Sequence, residues 1–336
     1  MTPPSALPEA RTPDPRTAPS LRWGVLGTGW IADRFVASLQ QHSSQQVVAV
    51  GSRTPESARA FADQHSIAAA YGSYEELVAD DDVDVVYVAT PHNAHLPVAL
   101  LSLGAGKHTL VEKPLGATAQ EARQIAAAAD AAGVFCMEAM WTAFLPKFDV
   151  IRQLLDAGAL GEPLSVVADF GEWFAEGHRI LEPELAGGPL LDLGTYLVTF
   201  AVDVLGPVEA TQAIGRWIPS GVLGQVGALL AHRGGRQSVL HTTLLSNTPT
   251  TAVIAGSDAT LVIDGPFYQP GGFTVEATDG SSLRYDEEPI AHQALHFQAA
   301  EVARRIAAGE TGSPLRPLTA SIATLAVLDA IEASCR

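Results

Sequence analysis

The sequence predicts a two-domain α/β protein. A doubly wound parallel sheet should occupy residues 21–140, followed by an α+β domain over residues 141–336 built on a mostly antiparallel, open-faced sheet. Three observations lead to this. Between residues 22 and 140, short apolar runs alternate with segments of helical composition, the pattern of stacked β-α-β units. After Trp141 the apolar runs lengthen and are separated by Gly and Pro turns, as in an antiparallel sheet. The 336 residues, 47% of them hydrophobic, are enough for two cores.

In the first domain the apolar runs predict strands at 23–26, 47–51, 83–89, 108–111 and 134–137. Helices are expected at 31–40, 55–65, 74–79, 97–105 and 119–132, the last announced by the capping-box spacing of Thr118 and Glu121. In the second domain an amphipathic helix is expected at 144–157. Strands follow at 164–170, 208–218, 224–232, 238–246, 251–255, 260–263, 273–277 and 282–285. Helices at 190–204, 290–308 and 318–333 should cover one face of that sheet. Residues 1–20, rich in Pro, Ala, Thr and Arg, read as a disordered tail.

Composition narrows the function. A net charge of −17 leaves no concentrated Lys and Arg surface of the kind nucleic acid requires, so no nucleic-acid partner is expected. Residues 1–20 have neither the continuous apolar core of a secretory signal nor a span long enough to cross a membrane, and no membrane partner is expected either. Two cysteines, Cys136 and Cys335, are too few for a disulfide framework and fit a cytoplasmic protein. His292 and His296 have a zinc-compatible spacing, but Gln293 stands where a metalloprotease needs Glu and no third ligand is evident; no metal is expected.

The chemistry begins at the first strand, which runs into Gly27, Thr28, Gly29, Trp30, Ile31 and Ala32. This is the Gly-x-Gly-x-x-Ala turn of a Rossmann domain, in which a helix N-terminus receives a dinucleotide pyrophosphate. Gly27 permits the turn, Gly29 lets backbone amides approach phosphate, and Ala32 allows the helix to pack closely. After the second strand come Gly51, Ser52, Arg53 and Thr54, with no acid before Glu56. A hydroxyl and a guanidinium stand where NAD-selective sites place a carboxylate, which points to NADP in preference to NAD. In a parallel sheet ligands lie beyond the carboxyl ends of the strands, so the polar ends Thr90, His92, Asn93, His95 and Glu112, Lys113 are further cofactor-binding candidates.

Val111 to Pro114, the glycine turn and the Ala89-Thr90-Pro91 strand end together resemble the glucose-fructose oxidoreductase, inositol dehydrogenase and MocA family. The likeness continues through the run from Met137 to Trp141 and the run from Gly187 to Tyr196, and is strongest to the dimeric dihydrodiol dehydrogenase branch. It implies a nicotinamide-dependent hydride transfer at a carbinol or ketone carbon of a cyclic polyol, sugar or diol. A sugar-ketone reductase or inositol-type dehydrogenase is the neighbouring alternative, and a noncatalytic NAD(P)-binding regulator is the alternative of another class. By the same likeness Tyr196 is the proton donor or acceptor, Lys113 polarises the substrate oxygen and lowers the Tyr196 pKa, Asp192 orients substrate or the catalytic pair, and Trp141 lies beside the cofactor. Asp192 and Tyr196, at i and i+4 of an expected helix, should project from one face. The branch usually carries Arg where this chain has Ala143, which leaves the substrate open. The open-faced sheet, short of helices to cover both sides, predicts a homo-oligomer, most simply a dimer.

Overall fold

The computed structural model describes residues 6–288, 290 and 294–336. His292, half of the histidine pair considered above, lies outside the described residues. Two compact units are present: Pro13–Phe144 with Ala291–Ile322, and Met1–Thr12 with Leu145–Ile290 and Ala323–Arg336.

The first unit is built on β1 (Arg22–Leu26), β2 (Gln46–Gly51), β3 (Ala69–Tyr71), β4 (Val85–Val88), β5 (His108–Glu112) and β6 (Cys136–Ala139). Their order is β3-β2-β1-β4-β5-β6, all parallel. This is the doubly wound arrangement, with its switch point between β1 and β4. Helices α1 (Trp30–His42), α2 (Pro55–His65), α3 (Tyr74–Val78), α4 (His95–Gly104) and α5 (Ala119–Ala132) make the crossovers. Thr118 caps α5, its hydroxyl accepting from the Glu121 amide. β4 is buried along its whole length and β1 beyond its first residue, so both read as unbroken apolar runs. The indole of buried Trp23 donates to Gln45 Oε1 at 3.0 Å, and Phe35 of α1 stacks on Tyr87 of β4 at 3.9 Å.

Two parts of this unit differ from the sequence-based expectation. The residues from 13 to 20, expected as disordered tail, are packed: Asp14 caps the 3-10 turn Pro15–Thr17, and Ala18 is buried against Ala300 and Ala303. Residues 294–322, expected in the second domain, belong to the first. There the small-residue face of α8 (His296–Ala307) is buried, and the Ser38 hydroxyl of α1 meets the His296 amide and ring nitrogen at 3.1 and 3.0 Å.

The second unit has eight strands: β7 (Pro163–Gly171), β8 (Val208–Trp217), β9 (Leu223–His232), β10 (Gln237–Thr243), β11 (Ala252–Gly256), β12 (Ala259–Ile263), β13 (Phe273–Ala277) and β14 (Ser282–Tyr285). Their order is β14-β13-β12-β11-β7-β10-β9-β8, antiparallel except where β10 runs parallel to β7. Helix α7 (Thr195–Leu205) packs on β7 and β10, and α6 (Pro146–Asp156) packs on α7 through Phe148 and Phe200. Helix α9 (Leu318–Ser334) begins in the first unit and ends in the second. Arg11, the rest of the expected tail, is also held here, its backbone amide and guanidinium donating to Asp149 at 2.7 and 2.8 Å. Burial alone would raise the Asp149 carboxyl, but these bonds hold it below the usual carboxylate range. The stretch Pro183–Leu205 is long and apolar enough for a membrane span, yet its most apolar part is mostly buried within the protein, and α7 is a core helix.

Candidate active site

At the end of β1, Gly27 has a φ of +113°, and a Cβ there would lie 2.5 Å from the Ala89 carbonyl oxygen. Gly27 is therefore required twice, by its backbone conformation and by the approach of the neighbouring strand end. Gly29 is different. It is the N-cap of α1, gives no side-chain acceptor to the first helical amides, and a Cβ on it would meet nothing within 4 Å. Uncapped amides beside open space are what a pyrophosphate needs. Thr90, at the end of β4, has a buried hydroxyl with no hydrogen-bond partner among the described residues. The residues present therefore fit a dinucleotide.

The other expected cofactor positions fall along the same edge. Thr28 and Ile31 are half-buried and Trp30 is exposed, with the Arg34 guanidinium 5.7 Å from its ring centroid. Ser52 is mostly buried and Arg53 exposed, both just after β2. In the 3-10 turn His92–Ala94 the first residue is buried and Asn93 exposed. Trp141, expected beside the cofactor, is almost fully enclosed at the start of the 3-10 turn Trp141–Phe144.

His95 departs from expectation. It is fully buried, its Nδ1 2.7 Å from the Pro114 carbonyl and its Nε2 2.9 Å from that of Thr90. A neutral imidazole carries one N–H, so only the protonated ring would donate to both. Burial outweighs the two carbonyls, and the pKa is pushed down to about 4. As a neutral ring His95 donates to one of these two carbonyls, and with both nitrogens facing backbone oxygens it is packed as a structural residue.

Lys113 follows β5, half-buried, in a cis peptide bond with Pro114. Its amide donates to Glu112 Oε2 at 3.0 Å, and the Tyr87 hydroxyl donates to the other oxygen of Glu112. Two residues on, the Leu115 amide donates to Glu138 Oε1 at 2.9 Å. Glu112 thus serves the backbone of the loop that carries Lys113.

In the other unit, Asp192 and Tyr196 sit where expected in sequence but on a modified helix. Leu190–Gly194 form a π-helical turn that leads into α7, a wider turn than an i, i+4 reading assumes and one often found at functional sites. Upstream, the 3-10 turns Arg179–Leu181 and Pro183–Leu185 fold back on Gly187 and Gly188, whose amides donate to the Glu182 and Ile180 carbonyls at 3.0 and 2.7 Å. A Cβ on Gly187 would lie 2.5 Å from the Ile180 carbonyl oxygen, so only glycine fits. This fold brings Arg179 to Asp192, NH2 to Oδ2, at 3.1 Å. The Tyr196 ring stands 4.7 Å from that of Tyr268 and 6.0 Å from that of Phe170, which stack on each other at 4.7 Å. Burial pushes the Tyr268 hydroxyl up to about 12, so it makes a poor proton acceptor near neutrality.

Three residues escaped the sequence reading. Arg179 carried no motif. Glu138 and Arg316 form an ion pair at 2.7 Å, each only 1% exposed; Glu138 stands in the run from Met137 to Trp141 that carries the family likeness, which gives it no role, and Arg316 stands in no motif. Among the described residues no group of three or more His, Cys, Asp or Glu is gathered as a metal would require.

Comparison with known proteins agrees with this architecture. Residues 21–140 match the oxidoreductase family with an NAD-binding Rossmann fold, GFO_IDH_MocA, and residues 148–262 match the GFO/IDH/MocA C-terminal domain. The trans-1,2-dihydrobenzene-1,2-diol dehydrogenase of Xenopus tropicalis is 34% identical over 316 residues, covering 92% of this chain and 96% of its own. That of Mus musculus is 41% identical over 242 residues, covering 71% and 73%. A 3-ketoreductase from Actinomadura kijaniata, solved with NADP and TDP-benzene, superposes with a TM-score of 0.84 at 27% identity, covering 94% of this chain and 98% of the other. Variants of that ketoreductase with tyrosine changed to phenylalanine and lysine changed to alanine have also been solved. With both family domains matched in order and dehydrogenase relatives aligned along nearly its whole length, this chain belongs to the GFO/IDH/MocA family of nicotinamide-dependent oxidoreductases.

Proposed function

We propose that the protein oxidises a secondary alcohol of a cyclic polyol, sugar or diol, or reduces the matching ketone, with NADP preferred to NAD. The observation that carries this is the Lys113 loop at the end of β5 together with Tyr196 at the start of α7. The lysine and tyrosine altered in the ketoreductase variants are separated by nearly the same length of chain. Residues 27–31, Thr90, Asn93 and Arg53 hold the dinucleotide, which when bound supplies the hydride donor or acceptor. The Tyr196 hydroxyl gives or takes the substrate proton. Lys113 supplies the positive charge that polarises the substrate oxygen. Asp192, held by Arg179, accepts from a substrate hydroxyl.

Arg53, exposed and without a neighbouring carboxylate in sequence, supports the NADP preference. The enzyme works as a homodimer in the cytoplasm. What supports the dimer is the uncovered face of the eight-stranded sheet, where Val167, Val239 and Leu229 lie side by side across three strands and are 50%, 49% and 40% exposed. The test is reduction of NADP and NAD followed at 340 nm with a panel of cyclic diols, inositols and aldoses, and the reverse reaction with their ketones. Turnover on any of these with NADP favoured is the expected result. Tight NADP binding with no turnover on the whole panel would overturn the proposal in favour of a regulator.

A further inference from the structure

Three consecutive residues of the β5 loop each have a backbone polar group set against a buried side chain. The Lys113 amide is held by Glu112 and the Leu115 amide by Glu138, and the Pro114 carbonyl between them lies 2.7 Å from His95 Nδ1. Glu138 is the most elaborately bonded of the three side chains. Its Oε1 accepts from Leu115 at 2.9 Å, while its Oε2 accepts from Arg316 Nε and NH2 and from the Ser321 hydroxyl, all at 2.7 Å. Arg316 and Ser321 come from the segment that returns to this unit after the strands of the second.

Satisfying one amide does not need a buried ion pair, because a carbonyl or hydroxyl would accept the same hydrogen bond without the desolvation cost of two charges. A charged pair with four donors on one carboxylate instead gives a short, directional anchor that resists displacement. The residue that benefits has a long, flexible side chain. A lysine with four rotatable bonds can place its ammonium reproducibly only if its own Cα is fixed.

We propose that Glu138 and Arg316 are positioning residues for hydride transfer, the buried pair between β6 and the returning segment fixing the Lys113-Pro114-Leu115 backbone and through it the Lys113 ammonium. The inference rests on the role given to Lys113 above.

The test compares two double variants of the full-length enzyme. Glu138→Leu with Arg316→Met removes both charges at once, so no charge is left buried and unpaired, and also removes the acceptor for the Leu115 amide. Glu138→Gln with Arg316→Met removes the same charges and keeps that acceptor. Thermal unfolding establishes that each is folded, quenching of tryptophan fluorescence gives NADP affinity, and kcat and KM are measured on the best substrate of the panel. A misplaced loop should lower kcat of the Leu/Met variant by about 10- to 100-fold while KM and NADP affinity move by less than about 3-fold. The Gln/Met variant should recover most of the loss. Unchanged kcat in a folded Leu/Met variant, or equal losses in both, would overturn the proposal. If the Leu/Met variant does not fold, Arg316→Lys, which keeps the charge without the two-pronged contact, should lower kcat with KM held, and wild-type kcat would overturn the proposal. Lys113→Met in parallel separates the two ideas: full turnover there removes the role of Lys113 itself, whatever the other variants do.

Discussion

The two sheets place their apolar residues differently. In the six-stranded sheet, β4 and β6 are buried at every position, and β1 and β5 at all but their first, because helices cover both faces. In the eight-stranded sheet β8 alternates exposed and half-buried positions, and apolar side chains remain on the outer face, Ile214 being 84% exposed. A sheet closed on both faces has only its strand ends to offer a ligand, and Gly29, Thr90, Arg53 and Lys113 all stand there. An open sheet offers a surface instead. Dinucleotide binding at the strand ends of one and the proposed association on the open face of the other is the division that the following experiments would break or sharpen.

The largest effect should come from the proposed chemical groups. Tyr196→Phe removes only a hydroxyl, and turnover should drop by on the order of 10²- to 10⁴-fold with NADP affinity nearly intact. Near-normal turnover in steady-state assays would take Tyr196 out of the mechanism. Lys113→Met should be at least as damaging.

Next comes the open face. Val167 and Val239 pair directly across β7 and β10, so lysine at both sets four like charges against each other in a two-fold interface. Each valine also loses about 1.5–3 kcal/mol of burial. The double variant should sediment as a monomer at micromolar concentration while still binding NADP. A native protein that is itself monomeric under those conditions would defeat the idea of a closed sheet for the dinucleotide and an open one for assembly.

Acid should then weaken the ligand-binding unit. His95 is neutral in the fold, with its pKa at about 4, but titrates near 6.5 in an unfolded chain. Between those values the unfolded state binds the extra proton, so stability is complete above about pH 6.5 and is lost as pH falls toward 4, by on the order of 3 kcal/mol. Asp84, held low by Arg22, contributes only at still lower pH. Urea midpoints measured between pH 7 and 4.5 should fall steeply for the native enzyme and more gently for His95→Asn. Parallel curves would show that His95 does not carry the linkage.

How much of this could be read in the sequence follows from the same contrast. Strands buried on both faces, such as Val85–Val88, appear as continuous apolar runs and were legible, as was the glycine turn, since Gly27 and Gly29 answer to local backbone geometry. Ala69–Tyr71 was missed because three half-buried residues carry no period. The returning segment was misassigned because α8 finds its place by packing Ala299, Ala300 and Ala303 in a core whose other members lie far away in sequence. Glu138 and Arg316 are 178 residues apart, and the Arg179 contact depends on irregular turns. Their partners are set by tertiary structure, which no local pattern encodes.

The smallest effect is the most selective. Arg53 stands exposed just beyond β2, where the adenosine ribose of a dinucleotide is read. A 2′-phosphate would form charge-assisted hydrogen bonds with its guanidinium, each type worth about 1.5–3 kcal/mol, whereas a bare 2′-hydroxyl offers the guanidinium no charge. Arg53→Ala should therefore raise the NADP dissociation constant by roughly 10- to 150-fold and leave that for NAD within about 3-fold. If Arg53 instead stacks on adenine, both cofactors lose affinity together, because adenine is common to them. Titrating NADP and NAD against the native enzyme and the variant separates the two cases. Equal native affinities, or equal losses on substitution, would leave the strand-end edge a dinucleotide site without a preference for phosphate.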